Sequence, residues 1–269
     1  MIRHFISSAL MGLLVASNGS VLAQEAVRLY AAGSLRVALT EVAVAFEKQE
    51  GMPVVMEFGA SGLLRERIEK GAPAEVFASA DMGHPAALQK AGRSGPVVLF
   101  ARNRLCALAS PKVDVTTATL LDVLLDPKIR VGSSTPKNDP SGDYTWAMFE
   151  KAEKLRPGAY AALSGKALKL VGGTDAPPPP KDRSVYTMLM AENKADVFLT
   201  YCTNAILASR EAAGLKVIQL PEGLAVGAEY GMTVMNGASK ASTRLSQFIL
   251  SAPGQEILVK HGFAAGRSQ

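Results

Sequence analysis

From residue 26 the chain alternates two hydrophobic periods. Ala26 to Ala32 (AVRLYAA) is a nearly unbroken apolar, β-prone run, the pattern of a strand covered on both faces. Gly33-Ser34-Leu35 follows, and then Leu35, Val37, Ala38, Leu39, Val42, Ala43, Ala45 and Phe46 recur at helical spacing and predict a helix over 35–49. The cycle repeats at once. Met52 to Phe58 (MPVVMEF) reads as a strand, Gly59-Ala60-Ser61-Gly62 as a joint of small residues, and Leu63, Leu64, Arg67 and Ile68 as one face of a helix over 62–70. A third apolar run, Val76-Phe77-Ala78-Ser79-Ala80-Asp81, precedes a helix over 85–91 and a strand over 97–101. Strands alternating with helices predict an α/β architecture with a parallel sheet.

The second half keeps the alternation with shorter pieces. Strands are expected at 105–110, 129–132, 168–171, 197–201, 216–220 and 229–234. Helices are expected at 117–125, 144–155, 183–192, 203–213, 240–250 and 254–261, with Asp139-Pro140-Ser141-Gly142-Asp143 as a turn. Gly172 to Asp182 (GGTDAPPPPKD) is the one biased stretch, and four consecutive prolines make it a stiff extended loop. No repeat of solenoid regularity occurs. Two α/β lobes fit this order, with chain crossings near Asn103 and within 221–228.

Twice, then, a strand ends in small residues and a serine that opens a helix. Helix N-termini carry free N–H groups and a partial positive charge, which suits an anion. Parallel neighbours would bring Ser34 and Ser61 to one edge, beyond the carboxyl ends of the strands where open α/β sheets hold ligands. The plainer reading is that each serine only caps its own helix.

Composition narrows the class. Residues 1–23 read as a secretory leader: Arg3 opens it, an apolar stretch follows, and Val21-Leu22-Ala23 precedes Gln24 as a cleavage site after Ala23. The stretch is too short for a membrane span, so an exported, periplasmic protein is expected. The remaining chain, about 246 residues, is long enough for a large core. The formal net charge is +5, one unit of it from Arg3. The other basic residues are scattered without aromatic interleaving, which argues against nucleic acid as a partner. Cys106 and Cys202 are the only two cysteines. They read equally well as a disulfide in an oxidising compartment and as two buried thiols. Outside the leader the histidines are His84, expected at a surface helix start, and His261. No metal-binding His or Cys spacing, phosphate loop, dinucleotide fingerprint or nucleophile elbow occurs, so neither a metal nor a cofactor is expected.

With these units in hand the chain resembles the periplasmic molybdate-binding proteins, the solute-binding components of molybdate ABC transporters. The resemblance rests on Ala31-Ala32-Gly33-Ser34-Leu35 and on Phe58-Gly59-Ala60-Ser61-Gly62 with Leu64 and Ile68. It rests further on Gly71 through Asp81, Asn103-Arg104-Leu105, Ala195-Asp196-Val197 and Thr200-Tyr201-Cys202-Thr203-Asn204-Ala205. It implies a two-lobe periplasmic binding protein fold, each lobe a mixed, mostly parallel sheet flanked by helices, with the ligand cleft between the lobes. Residues 24–102 with 226–269 would form one lobe and 103–225 the other. It implies a tetrahedral oxyanion, molybdate or tungstate, held by neutral hydrogen-bond donors without catalysis. Carried over by motif, Ser34 and Ser61 donate from the first lobe, Tyr201 donates its hydroxyl from the second, and Ser141 donates a backbone N–H. The partners implied are the oxyanion and a membrane ABC permease, and the protein is expected to be a monomer.

The chain departs from that family at Arg183, which opens a helix where the family carries an apolar residue, directly after the proline run. A guanidinium at that place suits an organic carboxylate or another oxyanion; a solvent-facing arginine is the plain alternative. A secreted hydrolase using Ser61 or Ser34 is the rival from another class, separated by whether a histidine or lysine reaches either serine. An exported structural protein or adhesin is the third reading, disfavoured by the paired serines at helix starts.

Overall fold

The computed structural model describes residues 26–176, 178–180 and 183–266; the leader lies outside the described residues. The first unit is β1 (Val27–Ala32) leading through a one-turn 3-10 helix (Gly33–Leu35) into α1 (Arg36–Glu50). All of β1 except Arg28 is buried, as the apolar run requires of an inner strand. Helix α1 buries Ala38, Leu39, Val42, Ala43 and Phe46 along one stripe and stops at Gly51, whose φ of 67° supplies the left-handed cap. The second unit is β2 (Val54–Gly59) and α2 (Ser61–Glu69), and the third β3 (Val76–Ala78) and α3 (Gly83–Lys90). His84 is buried at the start of α3 rather than at the surface, because α3 packs that turn beneath α2 and the strand β9 described below.

Strand β4 (Val98–Ala109) follows, then α4 (Leu120–Leu125), β5 (Val131–Ser134), α5 (Pro140–Leu155), α6 (Ala159–Lys166) and β6 (Leu168–Val171). The chain continues as α7 (Val185–Ala191), β7 (Val197–Tyr201), α8 (Cys202–Glu211) and β8 (Lys216–Gln219). It closes with β9 (Gly227–Val234), α9 (Lys240–Leu250), α10 (Ala252–Lys260) and β10 (Ala264–Ala265).

The strands run in the order β2-β1-β3-β9-β4-β7-β5-β6, with β8 and β10 pairing onto β4. Each wing is parallel at its heart, β1 between β2 and β3, and β5 between β6 and β7. The antiparallel ladders all belong to β4 and β9, the strands that carry the chain between the wings. One core gathers residues on either side of this passage, such as Leu29, Phe46, Phe100, Tyr230 and Phe248, and another gathers Leu105, Val131, Phe149, Val197 and Leu199. Tyr201 belongs to β7 yet packs in the first of these cores, and Tyr144 packs against both.

Three local expectations change. The runs at 97–101 and 105–110 are one strand, because Val98–Arg104 pair with β9 while Leu105–Ala109 pair with β7 and β8. The turn at Asp139 is the first turn of α5: Asp139 caps it and Pro140 occupies the first helical position, where its missing N–H is no loss. Helix α6, not foreseen, packs on α4 and α5. Of the two cysteine readings the disulfide holds; Cys106–Cys202 ties β4 to the first residue of α8.

Candidate functional site

Strands β1 and β2 pair in parallel with Ala32 opposite Gly59, so the segments after them emerge side by side. β5, β6 and β7 bring the starts of α5, α7 and α8 to the facing edge in the same way. A cavity of about 510 Å³ lies between the two edges, and Ser34, Ser61, Ser141, Arg183 and Tyr201 all line it.

Ser61, the first residue of α2, is fully buried and its Oγ accepts the Ala80 N–H at 3.1 Å. A hydroxyl has one donor and two acceptor sites, so this bond leaves the Ser61 proton for the cleft. Ala80 is engaged on both sides, since its carbonyl takes the Tyr201 hydroxyl across the cleft at 3.4 Å. Burial first, then the neighbouring phenol of Tyr230, pushes the Tyr201 hydroxyl far up from its ordinary range, so Tyr201 is a neutral donor. Ser34 Oγ lies 3.0 Å from Tyr230 Oη. The Asn103 amide donates to that same phenol at 3.3 Å and to Thr203 Oγ1 at 2.9 Å. The Ser34 hydroxyl and the Tyr230 phenol therefore share one hydrogen bond in which either can donate, and when Tyr230 donates, the Ser34 proton is free to point at a ligand.

The facing wall is built differently. The Ser141 N–H, the donor expected there, is held by the Asp139 carboxylate at 3.0 Å. The Ser141 hydroxyl remains, buried and without a hydrogen-bond partner. At the start of α7 the Ser184 N–H donates to both oxygens of Glu211, at 3.1 and 2.9 Å, and Thr187 Oγ1 donates to it at 2.8 Å. Arg183 stands beside this cap, exposed at the rim of the cavity, with Pro178, Pro179 and Pro180 next to it. Burial pushes the Asp139 carboxyl up to about 6, the Ser141 N–H pulling the other way.

Besides Arg183 the charged side chains lining the cavity are Arg36, Asp139 and Glu211, none of them given a site role from sequence. Arg36 opens α1 two positions after Ser34, half-buried, with its guanidinium 4.7 Å from the centre of the Phe58 ring. Asp139 carried a readable signal, since Asp before Pro is a helix start. Glu211 carried none, because it lies 27 positions from the N–H it holds.

These groups are hydrogen-bond donors suited to an anion rather than a nucleophile with its base. Ser34 and Ser61 bond to Tyr230 and Ala80, with no histidine or lysine on either hydroxyl among the described residues. His261 is engaged with Glu41 at 2.8 Å, and His84 lines no part of this cavity. No group of acidic, histidine and cysteine side chains fit for a metal occurs among the described residues.

Comparison with known proteins agrees with this geometry. The family model described as bacterial extracellular solute-binding protein matches residues 27–264. The molybdate-binding protein ModA of Escherichia coli (strain K12) is 30% identical over 263 residues, 93% of this chain and 94% of that protein. The periplasmic molybdate-binding protein of Azotobacter vinelandii superposes with a TM-score of 0.71 at 18% identity, over 90% of this chain and 100% of that one. The sulfate-binding protein SubI of Mycobacterium tuberculosis H37Rv superposes with a TM-score of 0.72 at 18% identity, over 89% and 86% of the two chains.

Proposed function

The chain belongs to the bacterial extracellular solute-binding proteins, and from that premise we propose that it captures a tetrahedral oxyanion in the cleft and delivers it to an ABC permease. Molybdate or tungstate is the first candidate, supported by the 30% identity to the Escherichia coli molybdate-binding protein. In this reading the chain is exported with its leader removed after Ala23, works in the periplasm as a monomer, and binds without chemistry. Residues 24–102 with 226–269 form one lobe and 103–225 the other. Ser34, Ser61, Ser141 and Tyr201 contact the ligand, and Arg183 approaches it from the rim.

The observation that carries the proposal is the pair of helix-start serine hydroxyls on one cavity, with the Ser61 proton left free by the bond that its oxygen accepts. A second reading, a larger organic oxyanion or carboxylate, is favoured by the cavity itself. A bare tetrahedral oxyanion fills roughly two or three water volumes of ~30 Å³, whereas about 510 Å³ suits an organic ligand.

Calorimetric titration with molybdate, tungstate, sulfate, phosphate and small carboxylates tests both. A hydrogen bond to a charged group contributes about 1.5–3 kcal/mol, so Ser61→Ala should weaken binding roughly tenfold to a hundredfold. Silence toward the whole panel, or unchanged affinity in Ser61→Ala, would remove the oxyanion site from this cleft.

A further inference from the structure

The two walls of the cleft differ in kind. The wall with Ser34, Ser61 and Arg36 offers donors and positive charge, and no side chain caps the start of α2. The opposite wall presents two carboxylates, Asp139 and Glu211, each already holding the backbone N–H that an anion would otherwise take. Glu211 also binds Thr187, so its oxygens are occupied. Asp139 accepts the Ser141 N–H on Oδ1, the buried Ser134 hydroxyl stands close enough to favour its charged form, and no ion pair neutralises it among the described residues.

A helix cap alone does not call for this residue. Serine or asparagine caps as well as aspartate without a charge in a partly desolvated site, and burying a charge is costly unless it is paired. The site also holds Asp139 firmly. A side chain at Gly172, whose φ is 73°, would meet Asp139 Cβ at 2.5 Å and Oδ2 at 2.7 Å, so only glycine lets the loop lie against the carboxylate. Two positions on, the Ser141 hydroxyl is buried and unpartnered on the same cavity. The start of α5 therefore offers an acceptor and a donor side by side, both waiting for a ligand.

We propose that Asp139 selects the solute: the anion seated on Ser34 and Ser61 brings an O–H of its own to the Asp139 carboxylate, so anions without a proton are disfavoured. This rests on the oxyanion-cleft reading and, within it, favours the second candidate, a protonated or organic anion, over molybdate. A fully deprotonated tetrahedral dianion such as sulfate or molybdate brings only oxygens, which face a carboxylate in a medium of low dielectric and are repelled. A protonated oxyanion or a hydroxy acid turns the same contact into a charge-assisted hydrogen bond. The Ser141 hydroxyl is then placed to donate to a neighbouring oxygen of the same ligand.

The test is calorimetry at pH 7.5 on wild type, Asp139→Asn and Ser61→Ala with four probes: inorganic phosphate, glycolate, sulfate and molybdate. Asparagine keeps the helix cap, and a thermal melt confirms the fold. Wild type is expected to bind phosphate or glycolate at least tenfold more tightly than sulfate and molybdate. Phosphate in that role places the O–H on the oxyanion itself, glycolate on the adjoining carbon. In Asp139→Asn the preference should shrink tenfold or more, with sulfate or molybdate gaining affinity. Wild type preferring molybdate or sulfate, with Ser61→Ala abolishing that binding, would overturn the role of Asp139 and leave the oxyanion cleft standing. An unchanged preference order in Asp139→Asn would overturn it too. Wild type silent to all four probes would overturn both readings.

Discussion

Asp139 sets a measurable cost on the folded chain. Its carboxyl titrates at about 6 in the fold against about 3.9 when unfolded. The native state therefore binds the proton more tightly, and stability falls as pH rises from about 4 through 6, by on the order of 1–3 kcal/mol once the exposure of Asp139 to the cavity is allowed for. Asp139→Asn should accordingly raise the melting temperature at pH 7.5, with the gain fading toward pH 4. Equal effects at both pH values would mean that the carboxyl is not held up by burial. Around it, Tyr186 and Tyr201 keep their protons because burial holds both hydroxyls far above neutral pH. Asp143, one turn along α5, is likewise pushed up by burial.

The start of α2 meets the loop before α5 across the cleft. Gly62 N–H donates to the Asn138 carbonyl at 2.8 Å. A β-carbon at Gly62 would lie 2.5 Å from the Lys137 carbonyl oxygen and 2.8 Å from that of Asn138, and backbone atoms do not yield as a side-chain tip does. Gly62→Ala should therefore hold the lobes slightly apart, while in the first turn of α2 alanine costs the helix itself nothing. The expected outcome is a folded protein whose affinity for the anion drops tenfold or more. Wild-type affinity in Gly62→Ala would show that this contact is dispensable for the bound form. Element geometry also explains why the donors sit so well. β1 and β2 end in register, and their helices leave from the same edge, so Ser34 and Ser61 need no long side chain to meet one ligand.

At the scale of the whole molecule the lobes meet through polar groups close to the cleft, among them Gly62 with Asn138, Tyr201 with Ala80, and Asn103 with Tyr230. A ligand bound between the lobes adds contacts to both. Saturation at a hundred times Kd contributes about 2.7 kcal/mol, which for a chain of this size is roughly 5–10 °C in melting temperature. A thermal melt with the tightest anion of the panel should show that rise, and Ser61→Ala should lose it. A strong calorimetric signal with no thermal shift would mean that the anion binds the unfolded chain as well, and not a site that only the fold creates.

What the sequence determined by itself is what neighbours along the chain decide. The buried run of β1, the stripe of α1, its glycine stop and the paired serines were legible because backbone period and side-chain spacing are local properties. Tyr201 and Arg183 were marked only through the family resemblance, one matching its pattern and the other departing from it, and both line the cavity. Tertiary structure alone decided the rest. Polar Asn103 and Arg104 read as a break, yet β4 runs through them because β9 pairs its first part, these two residues included, and β7 and β8 flank its second part. The cysteines read equally as thiols until pairing of β4 with β7 brought Cys106 against Cys202. Helix α6 has only a weak apolar face of its own, and its contacts with α4 and α5 hold it. The acceptor character of the second wall was hidden for the same reason. Whether a helix-start N–H is free for a ligand depends on which carboxylate the fold delivers to it, and Glu211 comes to Ser184 from the far end of another helix.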